Sequence, residues 1–187
     1  MAGVLLFAAM SVLWCLSELW IGLRHRASDR RRDAGTLTRL VLVVGGCVTV
    51  AMLVSIWPPG RFPPAWQPTL LWGGCALMLA GMLFRWWAIH VLAEHFTVDV
   101  AIAADHKLIR RGPYRQLRHP SYTGLLMTFA GFLGVLGSWP APLVVAWPLW
   151  AALRGRIRVE EAALSAAFPV AYPEYARTTR RLLPGIW

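Results

Sequence analysis

Five apolar segments alternate with polar gaps along this chain. The first three run from about Val4 to Leu23, Leu40 to Trp57 and Thr69 to Ile89. A helix needs ~20 residues to cross ~30 Å of hydrocarbon, so each reads as a membrane span. The fourth runs from Ser121 to about Gly137 and the fifth from Leu143 to about Leu153. Both are short, and with the turn at Trp139-Pro140-Ala141-Pro142 between them they read as a hairpin, tilted or incompletely spanning. Pro58-Pro59-Gly60 ends the second span, because proline removes a backbone donor and glycine frees the chain. Trp57 and Trp66 flank the loop that follows, as interfacial anchors do. Gly45-Gly46 in the second span and Gly73, Gly74 and Gly81 in the third mark candidate sites of close helix approach.

The polar segments complete the plan. Residues 24–39 form an arginine-rich loop, residues 90–120 a long polar connection, and residues 154–187 a basic tail. Arg156 to Ala167 can continue the fifth segment as a helix before Pro169, Pro173 and Pro184 break up the end. The expected fold is all-α: a polytopic integral membrane protein of about five transmembrane helices, with a cytoplasmic interfacial site and a C-terminal tail. The whole chain, 1–187, reads as one domain, with a three-helix N-terminal part (1–89) and a second part (90–187) that carries the chemistry.

Composition agrees with the pattern. Apolar residues make up 57% of the 187 residues and charged residues 15%. The net charge of +10 is strong enough to raise nucleic acid as a partner. However, seventeen of the nineteen basic residues fall in the three long polar segments, with Arg61 and Arg85 outside them. That is the asymmetry of the positive-inside rule, and it places those segments in the cytoplasm and the N-terminus outside. Contact with anionic headgroups follows from the same charge. No nucleic-acid partner is expected, since no basic face alternates with stacking aromatics. The first apolar segment lacks a basic leader and reads as a retained helix rather than a signal peptide. Cys15, Cys47 and Cys75 lie one to a span and read as small buried hydrophobes. No His, Cys and carboxylate set has metal spacing, so no metal is expected.

Two charges lie inside spans. Glu18 sits about one turn from the end of the first, and Arg85 near the end of the third. Each can reach the interface by snorkelling or can be paired for function.

The chemistry concentrates in residues 106–124, HKLIRRGPYRQLRHPSYTG. Gly112-Pro113-Tyr114 reads as a turn. Arg118-His119-Pro120 then enters a helix, with proline in the tolerated first turn and Ser121 close to the free N–H groups. A helix N-terminus beside Arg and His suits an anionic group. Gly124 leaves room for a ligand or a neighbouring helix. Glu160 and Glu161 supply the tail's acidic pair.

Together with residues 160–185, EEAALSAAFPVAYPEYARTTRRLLPG, this stretch resembles the isoprenylcysteine carboxyl methyltransferase family of integral membrane enzymes. The resemblance runs in order from about Phe96 to Pro184. The family's Phe-Gly is Phe168-Pro169 here, and its Leu-Val is Leu108-Ile109. Related lipid methyltransferases and sterol reductases share parts of the C-terminal pattern. The resemblance implies methyl transfer from S-adenosylmethionine to a lipophilic acceptor that enters from the membrane. A carboxylate on a prenylated or similar molecule comes first. A phospholipid amine, or a reductase using a nicotinamide cofactor, are the alternatives. Carried onto this chain, the cofactor site would draw on His106, Leu108, Ile109, Gly112, Tyr114, His119, Pro120, Tyr122, Tyr172 and Tyr175. Arg118, Glu160, Glu161 and Arg180 are the expected catalytic residues, with Arg118, Arg158 or Arg180 as the cation that orients a carboxylate. The cell membrane, with the site facing the cytoplasm, is the expected location.

Overall fold

The computed structural model describes residues 1–24, 35–92 and 108–183. Six α-helices account for most of them: α1 (Ala2–Arg24), α2 (Thr36–Ser55), α3 (Gln67–Leu92), α4 (Pro120–Leu136), α5 (Pro140–Ala167) and α6 (Ala171–Thr178). The helices α1, α2 and α3 are long and apolar enough to cross a membrane, and α4 is a shorter apolar helix. The chain is an all-α integral membrane protein.

The apolar segments become helices where the pattern places them, but their pairing differs from the expected hairpin. Helix α4 packs chiefly on α3, and α5 packs chiefly on α2. Glycine is the cause of the first pairing. A Cβ on Gly74 would stand 2.6 Å from Val135 Cγ2 and 2.7 Å from Gly131 O. One on Gly124 would stand 2.7 Å from the backbone nitrogen and Cβ of Arg85. Gly81 faces the backbone of Gly124 and Thr128 at equally short range. These positions leave no room for a side chain, so the two backbones pack directly, as small-residue interfaces do in membranes. Gly124 therefore makes room for a helix.

The other glycines flagged in the sequence behave differently. Gly45, Gly46 and Gly73 have nothing within 4 Å of a built Cβ. They do not mediate close helix contact, and Gly45 instead faces a cavity. Helix α5 is also longer than its apolar part, running unbroken through Arg154 to Ala167 with Pro148 inside it. Pro173 does not break the tail. It lies in the first turn of α6, where a missing donor costs least.

One end of the bundle is closed by short turns at Pro58–Gly60 and Pro64–Trp66. Phe62 N donates to Gly137 O at 3.0 Å and Trp139 N to Gly60 O at 3.1 Å, tying these turns to the α4–α5 corner. Trp57 and Trp66 are exposed there, as interfacial anchors would be.

Helix α1 leans on α3 and α4 through aromatic contacts. Phe7 meets Phe132 at 5.6 Å between ring centroids, and Trp14 meets Phe129 at 6.2 Å. The consecutive helices α1 and α2 stand apart. A cavity of about 1200 Å³ fills the space between them and runs into the polar residues at the other end of the bundle.

Candidate functional site

The site is built where the N-terminus of α4, the end of α5 and the tail converge. Gly112 takes φ +57°, a conformation that favours glycine, and starts the turn Gly112–Arg115. The tail locks this turn in place. Tyr175 donates its hydroxyl to Tyr114 O at 2.7 Å. Leu117 and Arg180 form an isolated bridge, with Arg118 N donating to Arg180 O at 2.7 Å and Arg180 N to Gln116 O at 2.9 Å. Thr123 Oγ1 donates to Leu182 O at 2.6 Å, fastening the tail to α4. His119 is the N-cap of α4 and Pro120 its first residue. The His119 side chain makes no capping bond to the free N–H groups.

Two carboxylates organise the polar side chains. Glu160 Oε2 lies 3.1 Å from His119 Nδ1. Glu160 Oε1 accepts from Tyr122 Oη and, at 2.9 Å, from Arg156 Nε. Glu161 holds the tail: it accepts from Arg118 Nε at 3.0 Å and from Arg181 Nη2 at 2.8 Å. Arg118 Nη1 also donates to the carbonyls of Ala176 and Thr179. Burial alone would lower the pKa of His119, but the two carboxylates overcome it and raise it. Burial would likewise raise both glutamates. Their cationic partners prevail, lowering Glu160 and bringing Glu161 to about 2. Each of these shifts favours the charged form of its group. Burial pushes Tyr175 up to about 12 and raises Tyr114 and Tyr172 as well, so these phenols stay neutral donors.

Leu108, Ile109, Tyr114, Arg118, His119, Tyr122, Glu160, Tyr172 and Tyr175 all line the large cavity. Two of them carry unmet polar atoms. His119 Nε2 and the Tyr172 hydroxyl are buried without a hydrogen-bond partner among the described residues. Glu161 Oε1 lies 3.5 Å from that Nε2, a charge contact longer than an ordinary hydrogen bond.

Other expected site residues do not reach the cavity. Gly112, Pro120 and Glu161 position their neighbours, while Arg158 and Arg180 are exposed. His106 lies outside the described residues. Three residues emerge that the sequence motifs did not single out. Arg156 is almost fully buried and bonds Glu160, Tyr122 and Thr36 Oγ1. Its spacing four residues before Glu160 on one helix was the available signal. Arg181 clamps Glu161, and Thr123 binds the tail. Glu18 and Arg85, flagged separately, pair with each other on the cavity wall.

Fold and site together define a helical membrane protein with a charged, tail-covered site at one end of an apolar cavity. Comparison with known proteins gives the family. The profile of the isoprenylcysteine carboxyl methyltransferase family matches residues 74–166. Protein-S-isoprenylcysteine O-methyltransferase A of Arabidopsis thaliana is 31% identical over 161 residues, covering 81% of this chain and 80% of that protein. The Dictyostelium discoideum protein-S-isoprenylcysteine O-methyltransferase is 29% identical over 143 residues, 73% of this chain. A Pseudomonas methanethiol S-methyltransferase is 31% identical over 108 residues, covering 50% of this chain and 40% of that protein. This chain belongs to the isoprenylcysteine carboxyl methyltransferase family. It spans 60% of the length of the Dictyostelium protein.

Proposed function

We propose that this protein transfers a methyl group from S-adenosylmethionine to the carboxylate of a lipophilic, prenylcysteine-like acceptor held in the membrane, with the site at the cytoplasmic face. One observation carries this reading: the charged cluster of His119, Tyr122 and Glu160 opens directly into an apolar cavity of about 1200 Å³ between two membrane helices. A polar cofactor and an apolar chain can therefore meet in one continuous space. The names of the relatives supply the reaction class, and the asymmetry of basic residues supplies the orientation. The Pseudomonas relative is named for a small thiol, so sequence similarity alone does not fix the acceptor. The volume of the cavity and its apolar lining from α1 and α2 favour the lipophilic one here.

The residues fit the cofactor. The unmet His119 Nε2 and Tyr172 hydroxyl offer donors to its carboxylate or ribose. Glu160 supplies a carboxylate for its ammonium. Tyr114 or Tyr122 can face a sulfonium through cation–π attraction, worth ~0.5–2 kcal/mol. Leu108 and Ile109 line the cavity as an apolar surface for adenine. When bound, the cofactor would supply an electrophilic methyl to the acceptor oxygen, with sulfur taking the electron pair of the broken C–S bond. A carboxylate is ionised at neutral pH, so no proton moves and no strong base is required. The protein contributes alignment and exclusion of water, which together supply much of the rate in an in-line displacement.

Calorimetric titration with S-adenosylhomocysteine tests the cofactor half. Saturable binding, weakened in His119→Ala and Tyr172→Phe, is expected. A folded protein that does not bind it would sink the reading.

A further inference from the structure

We propose that Arg85 is the residue that receives the acceptor's carboxylate, and that Glu18 occupies Arg85 until the acceptor displaces it. The proposal rests on the reading above that the acceptor presents a carboxylate.

Arg85 on α3 is buried and lines the same cavity as His119, Tyr122 and Glu160. Its Nε and Nη2 donate to the two oxygens of Glu18 at 2.6 and 2.8 Å. This is the two-pronged geometry with which a guanidinium grips any carboxylate. Its remaining arm, Nη1, donates to Ser121 O at 3.0 Å. That bond ties the guanidinium to the first turn of α4, one residue from Tyr122. Release of Glu18 would leave the fork held in place, facing the cavity.

The cluster's other cations are committed differently. Arg118 is held by Glu161 and two carbonyls, Arg156 by Glu160, Tyr122 and Thr36, and Arg181 by Glu161. The carboxylates in those pairs come from α5, which the tail clamps to α4. The carboxylate on Arg85 comes instead from α1, the helix that stands apart from α2 across the cavity. Glu18 is also the more accessible half of its pair, its side chain 31% exposed against 9% for Arg85. An acceptor lying along the α1 side of the cavity would bring its own carboxylate to this fork. One carboxylate replaces another on the guanidinium, so the buried Arg85 is never left unpaired, and the released Glu18 is the more exposed partner.

A structural tie between α1 and α3 would use the same two residues, so the test must separate the roles. The full-length protein in detergent is assayed with N-acetyl-S-farnesylcysteine as acceptor and its neutral carboxamide as competitive inhibitor. Glu18→Gln is expected to lower KM for the acid about threefold or more, because a weaker competitor occupies Arg85. Arg85→Lys, which keeps the charge and loses the fork, is expected to raise that KM about tenfold or more. The Ki of the carboxamide and the affinity for S-adenosylhomocysteine should stay within about twofold in both. If Arg85→Lys does not fold, the neutral pair Glu18→Gln with Arg85→Gln carries the same comparison and should lose the acid while still binding the amide. Equal shifts for acid and amide in the variants, with a wild type that turns over the acid, would overturn this proposal alone. A wild type that binds S-adenosylhomocysteine but never methylates the acid would overturn the carboxylate acceptor as well.

Discussion

His119 and Glu160 face each other at the root of α4, Nδ1 to Oε2 at 3.1 Å, with the imidazole more deeply buried than the carboxylate. One nitrogen–oxygen contact thus links the start of α4 to the end of α5. Only one of the two neighbouring glutamates shares this position on the cavity: Glu160 lines it, while Glu161 faces the tail. Glu160→Gln should weaken S-adenosylhomocysteine binding about 10–100-fold, the worth of a charge-assisted hydrogen bond of ~1.5–3 kcal/mol. Glu161→Gln should act on stability instead. It leaves Arg118 and Arg181 without their anion and should cost about 2–3 kcal/mol, below the figure for a fully buried pair because Arg181 is partly exposed. Titration calorimetry and thermal melts of both variants separate the two roles.

The cluster also sets a pH window. The raised pKa of His119 means that its stabilisation is fully present below 6.5, the ordinary histidine value, and is lost as pH rises through the folded-state value. The lowered carboxylates act in the opposite sense: their contribution is present above 4.5 and lost as pH falls, for Glu161 toward about 2. Melting temperature in detergent should peak between these limits and fall on both sides. His119→Gln should lose the alkaline limb and keep the acid limb carried by Glu161 with Arg118 and Arg181.

Gly81 tests the helix pairing. A methyl group there would run into the backbone of Thr128, and neither helix has a flexible side chain to yield at that point. Gly81→Ala should destabilise the protein by about 3 kcal/mol, the upper end of overpacking costs. Gly73→Ala, which meets nothing, should be neutral in the same melt.

Gly45 tests the cavity. It lies on the cavity wall with open space before it. Gly45→Phe should fold normally and fill part of the gap between α1 and α2. Its KM should rise about tenfold for a long-chain acceptor and stay within about twofold for a short-chain one. Equal effects on both would show that the acceptor's chain lies elsewhere.

The sequence was most legible where one local rule decided the outcome. Apolar run lengths located the helices, and the order Gly-Pro-Tyr, Arg-His-Pro and Glu-Glu located the cluster. It was less legible where two distant segments had to be matched. Gly45-Gly46 and Gly73-Gly74 look alike in the chain, yet only Gly74 meets a facing glycine, Gly131, because α4 packs there. Glu18 and Arg85 could each be read as a snorkelling charge or a functional one, and their pairing with each other across 67 positions leaves no local trace. Arg156 was hidden for a related reason: its burial depends on α2 bringing Thr36 against α5. Arg180 drew attention by lying in the motif, but it is the backbone of that residue that bonds the turn.

Helix α4 has 17 residues, about 26 Å of helix, and α3 has 26, about 39 Å. The two are in contact at Gly124 and Arg85, so α3 continues past the start of α4 toward the charged end. The root of α4, where His119 and Tyr122 lie, is therefore recessed relative to the end of α3. Lifting a fifteen-carbon chain out of a bilayer costs roughly 12 kcal/mol at ~0.8 kcal/mol per carbon. An enzyme working from the water side would have to recover that cost at every turnover. For the acceptor proposed above, a recessed site reached sideways would avoid it: the chain would exchange one apolar surrounding for another, and only its head would leave the lipid.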